Sequence, residues 1–234
     1  MNRLNLLLNK TPRKVKPILI VILGFSCGLT FPPMALSWLI FIILAIFITG
    51  LENKFIKHSF AYGYIFYLGA GISFIGSWFS YYFRLQLGCG YLISYFLTMI
   101  LCLYGALYCG IISSFYTRIK SRWSFYNLVI LFPSLWVLTE LIRGTFFPRS
   151  WYALGYTQVN NLLFRGYFPL LGIYGVSWLI VALSGFAVYT LSKQSKHGLI
   201  QLLSGLIIFG GLSLALAQIK YTTPTGKPIK VGLL

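Results

Sequence analysis

Acidic residues are almost absent from this chain. It has two in 234 residues, Glu52 and Glu140, against 19 lysines and arginines, for a formal net charge of +17. Charge of either sign is scarce. Only 9% of residues are charged, where a soluble globular protein carries about 25%. The chain therefore lacks the polar residues needed to cover a core in water. With 58% hydrophobic residues and a mean hydropathy of +0.82, its plausible solvent is a bilayer. A basic excess can also mean nucleic acid, but that reading needs a basic face on a folded domain. Here the cations sit in short clusters between apolar runs, which excludes nucleic acid as a partner.

Cysteine is also sparse: Cys27, Cys89, Cys102 and Cys109. Three lie inside apolar runs, none forms a Cys-x-x-Cys pair, and His58 and His197 are far apart in sequence. The pattern implies no metal site and no cofactor. The cysteines read as small apolar packing residues.

What is there instead is a series of apolar runs. A spanning helix needs about 20 mostly apolar residues. Seven segments qualify, roughly 17–31, 35–51, 59–83, 91–116, 125–144, 164–191 and 198–219. The first two form a tight hairpin through Pro32-Pro33. The first run has the basic approach of a signal peptide, but Phe31-Pro32-Pro33 follows where a small-x-small cleavage site would stand, so it reads as a retained helix. The expected fold is an all-α polytopic membrane protein of about seven transmembrane helices.

Positive charge orients such a chain. With the N-terminus in the cytoplasm, twelve cations lie inside: Arg3, Lys10, Arg13, Lys14, Lys16, Lys54, Lys57, Arg118, Lys120, Arg122, Lys193 and Lys196. Seven lie outside: Arg84, Arg143, Arg149, Arg165, Lys220, Lys227 and Lys230. Seven spans then deliver the C-terminus to the periplasmic face. The inner basic loops can also meet anionic headgroups of bilayer lipids. Rows of small residues, Gly69, Ser73 and Ser77 in the third span and Gly105, Cys109 and Ser113 in the fourth, predict close helix packing.

The chemistry-bearing stretch is 136–178. Trp136, Glu140, Arg143 and Phe147 fall on one helix face. Glu140 and Arg143 are spaced to form a structural ion pair, which lowers the cost of a carboxylate near lipid. The outer segment that follows, roughly 145–165, carries Arg149, Trp151, Tyr156 and Gln158. Interfacial Trp and Tyr have a bland explanation in any membrane protein. Arginine forks with aromatic cover also suit an anionic phospholipid. Trp151, Tyr156, Arg143, Arg149 and Gln158 are accordingly the candidate lipid-binding residues, with no catalytic residue among them.

These same residues carry a family resemblance. Trp136-Val137-Leu138-Thr139-Glu140-Leu141-Ile142-Arg143-Gly144 resembles the Trp-x-x-x-Glu-x-x-Arg-Gly segment of apolipoprotein N-acyltransferases. Phe147-Pro148, Trp151 and Leu154-Gly155-Tyr156-Thr157-Gln158 resemble that family's Phe-Pro-Trp and Leu-Gly-Tyr-x-Gln run. Leu171-Gly172-Ile173-Tyr174-Gly175-Val176-Ser177-Trp178 resembles its Gly-x-x-Gly-x-Ser segment, and Phe31-Pro32-Pro33 its first hairpin. The likeness runs in order along nearly the whole chain. One departure is that Arg149 and Ser150 separate Phe147-Pro148 from Trp151.

The resemblance implies a multi-pass protein of the bacterial inner membrane. Its partners would be a phospholipid acyl donor and a diacylated apolipoprotein, whose N-terminal cysteine receives the acyl chain on its amino group. The family's nitrilase-like (carbon–nitrogen hydrolase) domain supplies a Glu–Lys–Cys triad in which Cys carries the acyl group. No residue of this chain matches that triad. Residues 1–220 read as the membrane domain. Residues 221–234 read as a linker and the start of a truncated nitrilase-like domain. The expectation is a membrane part that is inactive alone. The alternatives are the membrane subunit of a split enzyme with a separate nitrilase-like catalytic chain, or a non-enzymatic lipid-binding or transport protein. Transport would need polar residues through several spans, and few are present.

Overall fold

A computed structural model describes residues 15–52, 56–120, 124–146, 152–222 and 226. Among the described residues the structure is all helical. Helix α1 (Lys16–Phe25) opens on a proline in its first turn, where the missing N–H costs nothing, and runs into a 3-10 turn at Ser26–Thr30. The Phe31–Ser37 hairpin leads to α2 (Leu39–Glu52). Then come α3 (Ile56–Leu87) and α4 (Tyr91–Ile119). A π-helical turn at Asn127–Leu131 leads into α5 (Phe132–Phe146). A 3-10 turn at Leu154–Gln158 precedes α6 (Phe168–Ser192) and α7 (Lys196–Leu216). Ser195 caps α7, its hydroxyl accepting from the Gly198 N–H at 3.1 Å.

Every apolar run of the sequence therefore becomes helix, but the runs differ in reach. Four helices are long and apolar enough to cross a membrane: Tyr91–Ile119, Asn127–Thr145, Phe168–Ser192 and Lys196–Leu216. A fifth span results if His58–Phe74 and Trp78–Leu87, bent by 56° at their junction, count as one. The first two runs form shorter apolar helices, Lys16–Thr30 and Leu39–Glu52, so the expected count of seven spans exceeds what length and composition alone support. The segment 229–234, expected to open a further domain, lies outside the described residues.

In α2, Ile40, Ile43, Leu44, Phe47, Ile48 and Leu51 are buried while Ile42 is exposed, so the helix is apolar all round and its C-terminal half is enclosed by the protein. Phe47 is its hub, stacked on Tyr62 and Phe66 and meeting Phe132 and Trp136 edgewise or tilted. The small-residue rows do pack as expected. A Cβ at Gly24 would overlap the Phe66 carbonyl, and one at Gly69 the Val21 carbonyl, so α1 and α3 touch backbone to backbone. In α4, Cys109 and Ser113 meet Gly63 of α3, and Gly105 meets Tyr67. Outward faces carry Leu92, Ile207 and Ile208, apolar and exposed, as lipid-facing helices require.

At one end of the bundle Glu52 closes α2. Its Oε1 lies 3.3 Å from Lys120 Nζ and accepts from the Tyr116 hydroxyl at 2.6 Å. Lys120 also donates to the Leu51 carbonyl at 3.0 Å. The opposite end gathers the Phe31–Ser37 hairpin, the outer part of α3, the end of α5 and the segment from Tyr152 to Tyr167.

Candidate functional site

The segment from Tyr152 onward leaves α5 and lies across the bundle end instead of extending away from it. Four side chains hold it, and each binds main chain. Glu140, one turn from the end of α5, accepts the Leu154 N–H on Oε1 at 3.0 Å and the Trp136 indole N–H on the same oxygen at 3.0 Å. Arg143 donates to the Tyr152 carbonyl at 2.9 Å. Ser177 of α6 accepts the Gly155 N–H at 2.8 Å. Gln158 donates to the Ser37 carbonyl at 2.9 Å, tying the segment to the first hairpin.

Two glycines make this geometry possible. A Cβ at Gly155 would overlap the Ile173 carbonyl, so the 3-10 turn lies flat on α6 only without a side chain there. Gly172 sits at φ 61°, ψ −172°, inside α6. That left-handed break is cheap for glycine and expensive for other residues. The backbone break falls at the entry of α6, one turn and a half before Ser177.

The sequence spacing places Trp136 and Glu140 on one face, and the indole–carboxylate hydrogen bond realises it. The expected Glu140–Arg143 ion pair does not form. Both side chains are drawn to the backbone of the outer segment, and the salt bridge among the described residues is Lys120–Glu52. Arg143 instead lies over two aromatic rings, 5.2 Å from the Tyr152 centroid and 5.6 Å from that of Tyr67. Burial pushes the Tyr152 phenol up from its ordinary value, so it faces the guanidinium as a neutral ring. Gln158, expected as a lipid contact, is buried. Its amide oxygen accepts from Asn161 at 2.8 Å and its nitrogen also reaches Thr157, so it braces the turn from within. Arg149 and Trp151 lie outside the described residues, as does Phe147.

Tyr156, by contrast, lines an open groove of about 960 Å³. One wall is the turn and hairpin from Gly28 to Met34. The other is α3, with Ser73, Phe74, Trp78 and Phe79. Tyr156, Val159 and Asn160 form the outer rim. Phe31 is buried at its base, stacked on Tyr152 with centroids 5.5 Å apart and 4.2 Å from Phe74. Sequence reading missed Tyr67 and Phe74, because aromatics are common throughout the chain and nothing in their spacing sets these two apart. Ser177 and Gly155 do stand within recognisable motif segments, though their partnership across 22 residues is visible only in the fold.

This arrangement joins four separated motif segments into one site, and comparison with known proteins matches it. Residues 23–186 match the model of the apolipoprotein N-acyltransferase N-terminal domain. The chain belongs to the apolipoprotein N-acyltransferase family. The apolipoprotein N-acyltransferase of Chromobacterium violaceum is 34% identical over 233 residues, 95% of this chain and 44% of the relative. That of Shewanella oneidensis is 33% identical over 224 residues, 93% of this chain and 41% of the relative. That of Methylococcus capsulatus is 34% identical over 107 residues. The chain thus spans less than half the length of these N-acyltransferases.

Proposed function

We propose that this chain is the membrane part of an apolipoprotein N-acyltransferase, which moves an acyl chain from a phospholipid to the N-terminal diacylglyceryl-cysteine of lipoproteins. The groove beside Tyr156 carries this reading. It is apolar along its walls and polar at Asn160 and Tyr156, and the motif residues Phe31, Pro32, Pro33 and Tyr156 help to line it. At about 960 Å³ it has room for an acyl chain. Pockets for small ligands typically span about 300–1,000 Å³, mostly apolar with a few placed polar groups.

In this reading the groove end of the bundle faces the periplasm and the Glu52–Lys120 end the cytoplasm of the bacterial inner membrane. Arg143 fixes the outer segment and Tyr156 covers an acyl chain; Trp151 and Arg149 are proposed as further lipid contacts on chemical grounds, as an aromatic and a phosphate-binding cation. The transfer step belongs to a nitrilase-like domain on the outer side, whether joined to this polypeptide or on a separate chain. A thioester carrier needs an accessible cysteine with an activating base. Cys27, Cys102 and Cys109 are buried between helices, and Cys89 is partly exposed at the α3–α4 turn. The 234-residue chain by itself is therefore expected to form no acyl-thioester when given radiolabelled phospholipid. Label released from the chain by neutral hydroxylamine would overturn this.

The groove itself is tested in nanodiscs with a phospholipid carrying a photoreactive group on one acyl chain. Crosslinks are expected in the peptides containing 73–79 and 156–160. Val159→Trp, which fills the groove from its rim, should lower that labelling several-fold. Equal labelling in the variant would remove the groove from the site.

A further inference from the structure

Beneath the outer segment lies a second, closed space of about 20 Å³, lined among others by Tyr67, Trp136, Glu140, Arg143 and Tyr152. Two buried polar atoms at this cavity have no hydrogen-bond partner: Glu140 Oε2 and the Tyr67 hydroxyl. Glu140 is 3% exposed and Tyr67 6%, so neither atom reaches solvent. The other carboxylate oxygen is fully engaged by Trp136 and Leu154. Ser177 Oγ accepts the Gly155 N–H and lies close to the carboxylate, but its own O–H makes no well-formed hydrogen bond to Oε2. An orphaned carboxylate oxygen is costly in so apolar a setting, and buried polar groups are almost always satisfied by protein or water.

The space suits one ligand. A water needs roughly 10–15 Å³ of such volume and two to four polar partners. The cavity provides about 20 Å³, and its lining includes an acceptor in Glu140, hydroxyls in Tyr67, Tyr152 and Thr139, and a guanidinium with five N–H donors in Arg143. An apolar guest of that size would leave both orphaned atoms unpaired. We propose that one ordered water occupies the cavity between α3 and α5, donating to Glu140 Oε2 and accepting from Tyr67, and that Tyr67 thereby acts as a positioning residue for the outer segment. Glu140 of α5 and Tyr67 of α3 are then linked through the water, with Arg143 in the same lining. The motif acid is joined to α3, the wall of the groove.

The test uses the full chain in a lipidic phase and reads no acyl transfer, so its outcome is independent of the acyltransferase reading. A structure at a resolution that shows waters should carry density within hydrogen-bond distance of both Glu140 Oε2 and Tyr67 Oη. Tyr67→Phe should lower the thermal midpoint, since it takes a partner from the bound water. If the cavity is dry, the same change removes an unsatisfied buried hydroxyl and the midpoint rises or stays. A dry cavity in density, a midpoint that does not fall, or a direct Tyr67–Glu140 bond without water would each overturn the proposal.

Discussion

Glu140 satisfies two donors that have nowhere else to go. Trp136 Nε1 and the Leu154 N–H both end on its Oε1, in a part of the protein shielded from bulk solvent. Removing the carboxylate leaves each donor buried and unpaired, at about 1–3 kcal/mol apiece. Glu140→Leu is therefore expected to lower the thermal unfolding midpoint in detergent by several degrees. It should also raise protease cleavage in the outer segment, which loses its anchor at Leu154. An unchanged midpoint would mean that the carboxylate does not hold the segment. At this scale the sequence was partly readable. A lone acid near the end of an apolar run marks itself as functional or paired, and its spacing from Trp136 announces the shared face. Its true partners were not readable, because main-chain groups carry no residue-type signal. The same blindness hid Glu52 and Lys120, which pair across 68 positions that only the fold brings together.

Among elements, the contact that most depends on small residues is that of α1 with α3. Gly24 and Gly69 each lie against a carbonyl of the other helix. Backbone cannot retreat as a flexible side chain can, and overpacking a fitted interface costs about 1–3 kcal/mol. Gly24→Leu should push α1 from α3, lowering the midpoint and pulling apart the groove, one wall of which the turn after α1 supplies. Photolabelling of 73–79 by the acyl-chain probe should fall together with the midpoint. Labelling at its original level would mean that the groove does not depend on this packing. The existence of each helix was legible from long apolar runs and prolines, and the row at Gly69 foretold the close approach. The shortness of the first run was legible from its length, but the burial of most of α2 was not, because an apolar helix enclosed by protein and one facing lipid have the same composition. The break at Gly172 was equally hidden, since a glycine in an apolar run is compatible with unbroken helix.

For the molecule as a whole, the two ends differ in kind. One is closed by a buried ion pair with few aromatics on display. The other carries the groove and the outer segment. In the orientation proposed above, the first faces the cytoplasm. A fluorescent reporter that matures only in the cytoplasm, fused after Lys193, should glow, whereas one fused after Gln218 should stay dark. The reverse pattern would invert the assigned orientation and put the groove on the wrong side for a lipoprotein substrate. Membrane class and family membership were legible over nearly the whole chain, because composition and ordered motifs do not depend on tertiary detail. The groove was not, because it is a gap between elements and no single stretch of sequence encodes it.

Glu140, Arg143, Ser177 and Gln158 each hold the outer segment or the first hairpin through a hydrogen bond to a peptide group. Peptide groups are the same whichever amino acid occupies the position. Those hydrogen bonds are indifferent to the side chains of Leu154 and Ser37, whereas Tyr152 adds its ring beneath Arg143 and Gly155 needs bare backbone. Drift at the rim, where Tyr156, Val159 and Asn160 face the groove, can retune what is bound without unmooring the loop that binds it. The frame and the lining are free to evolve at different speeds.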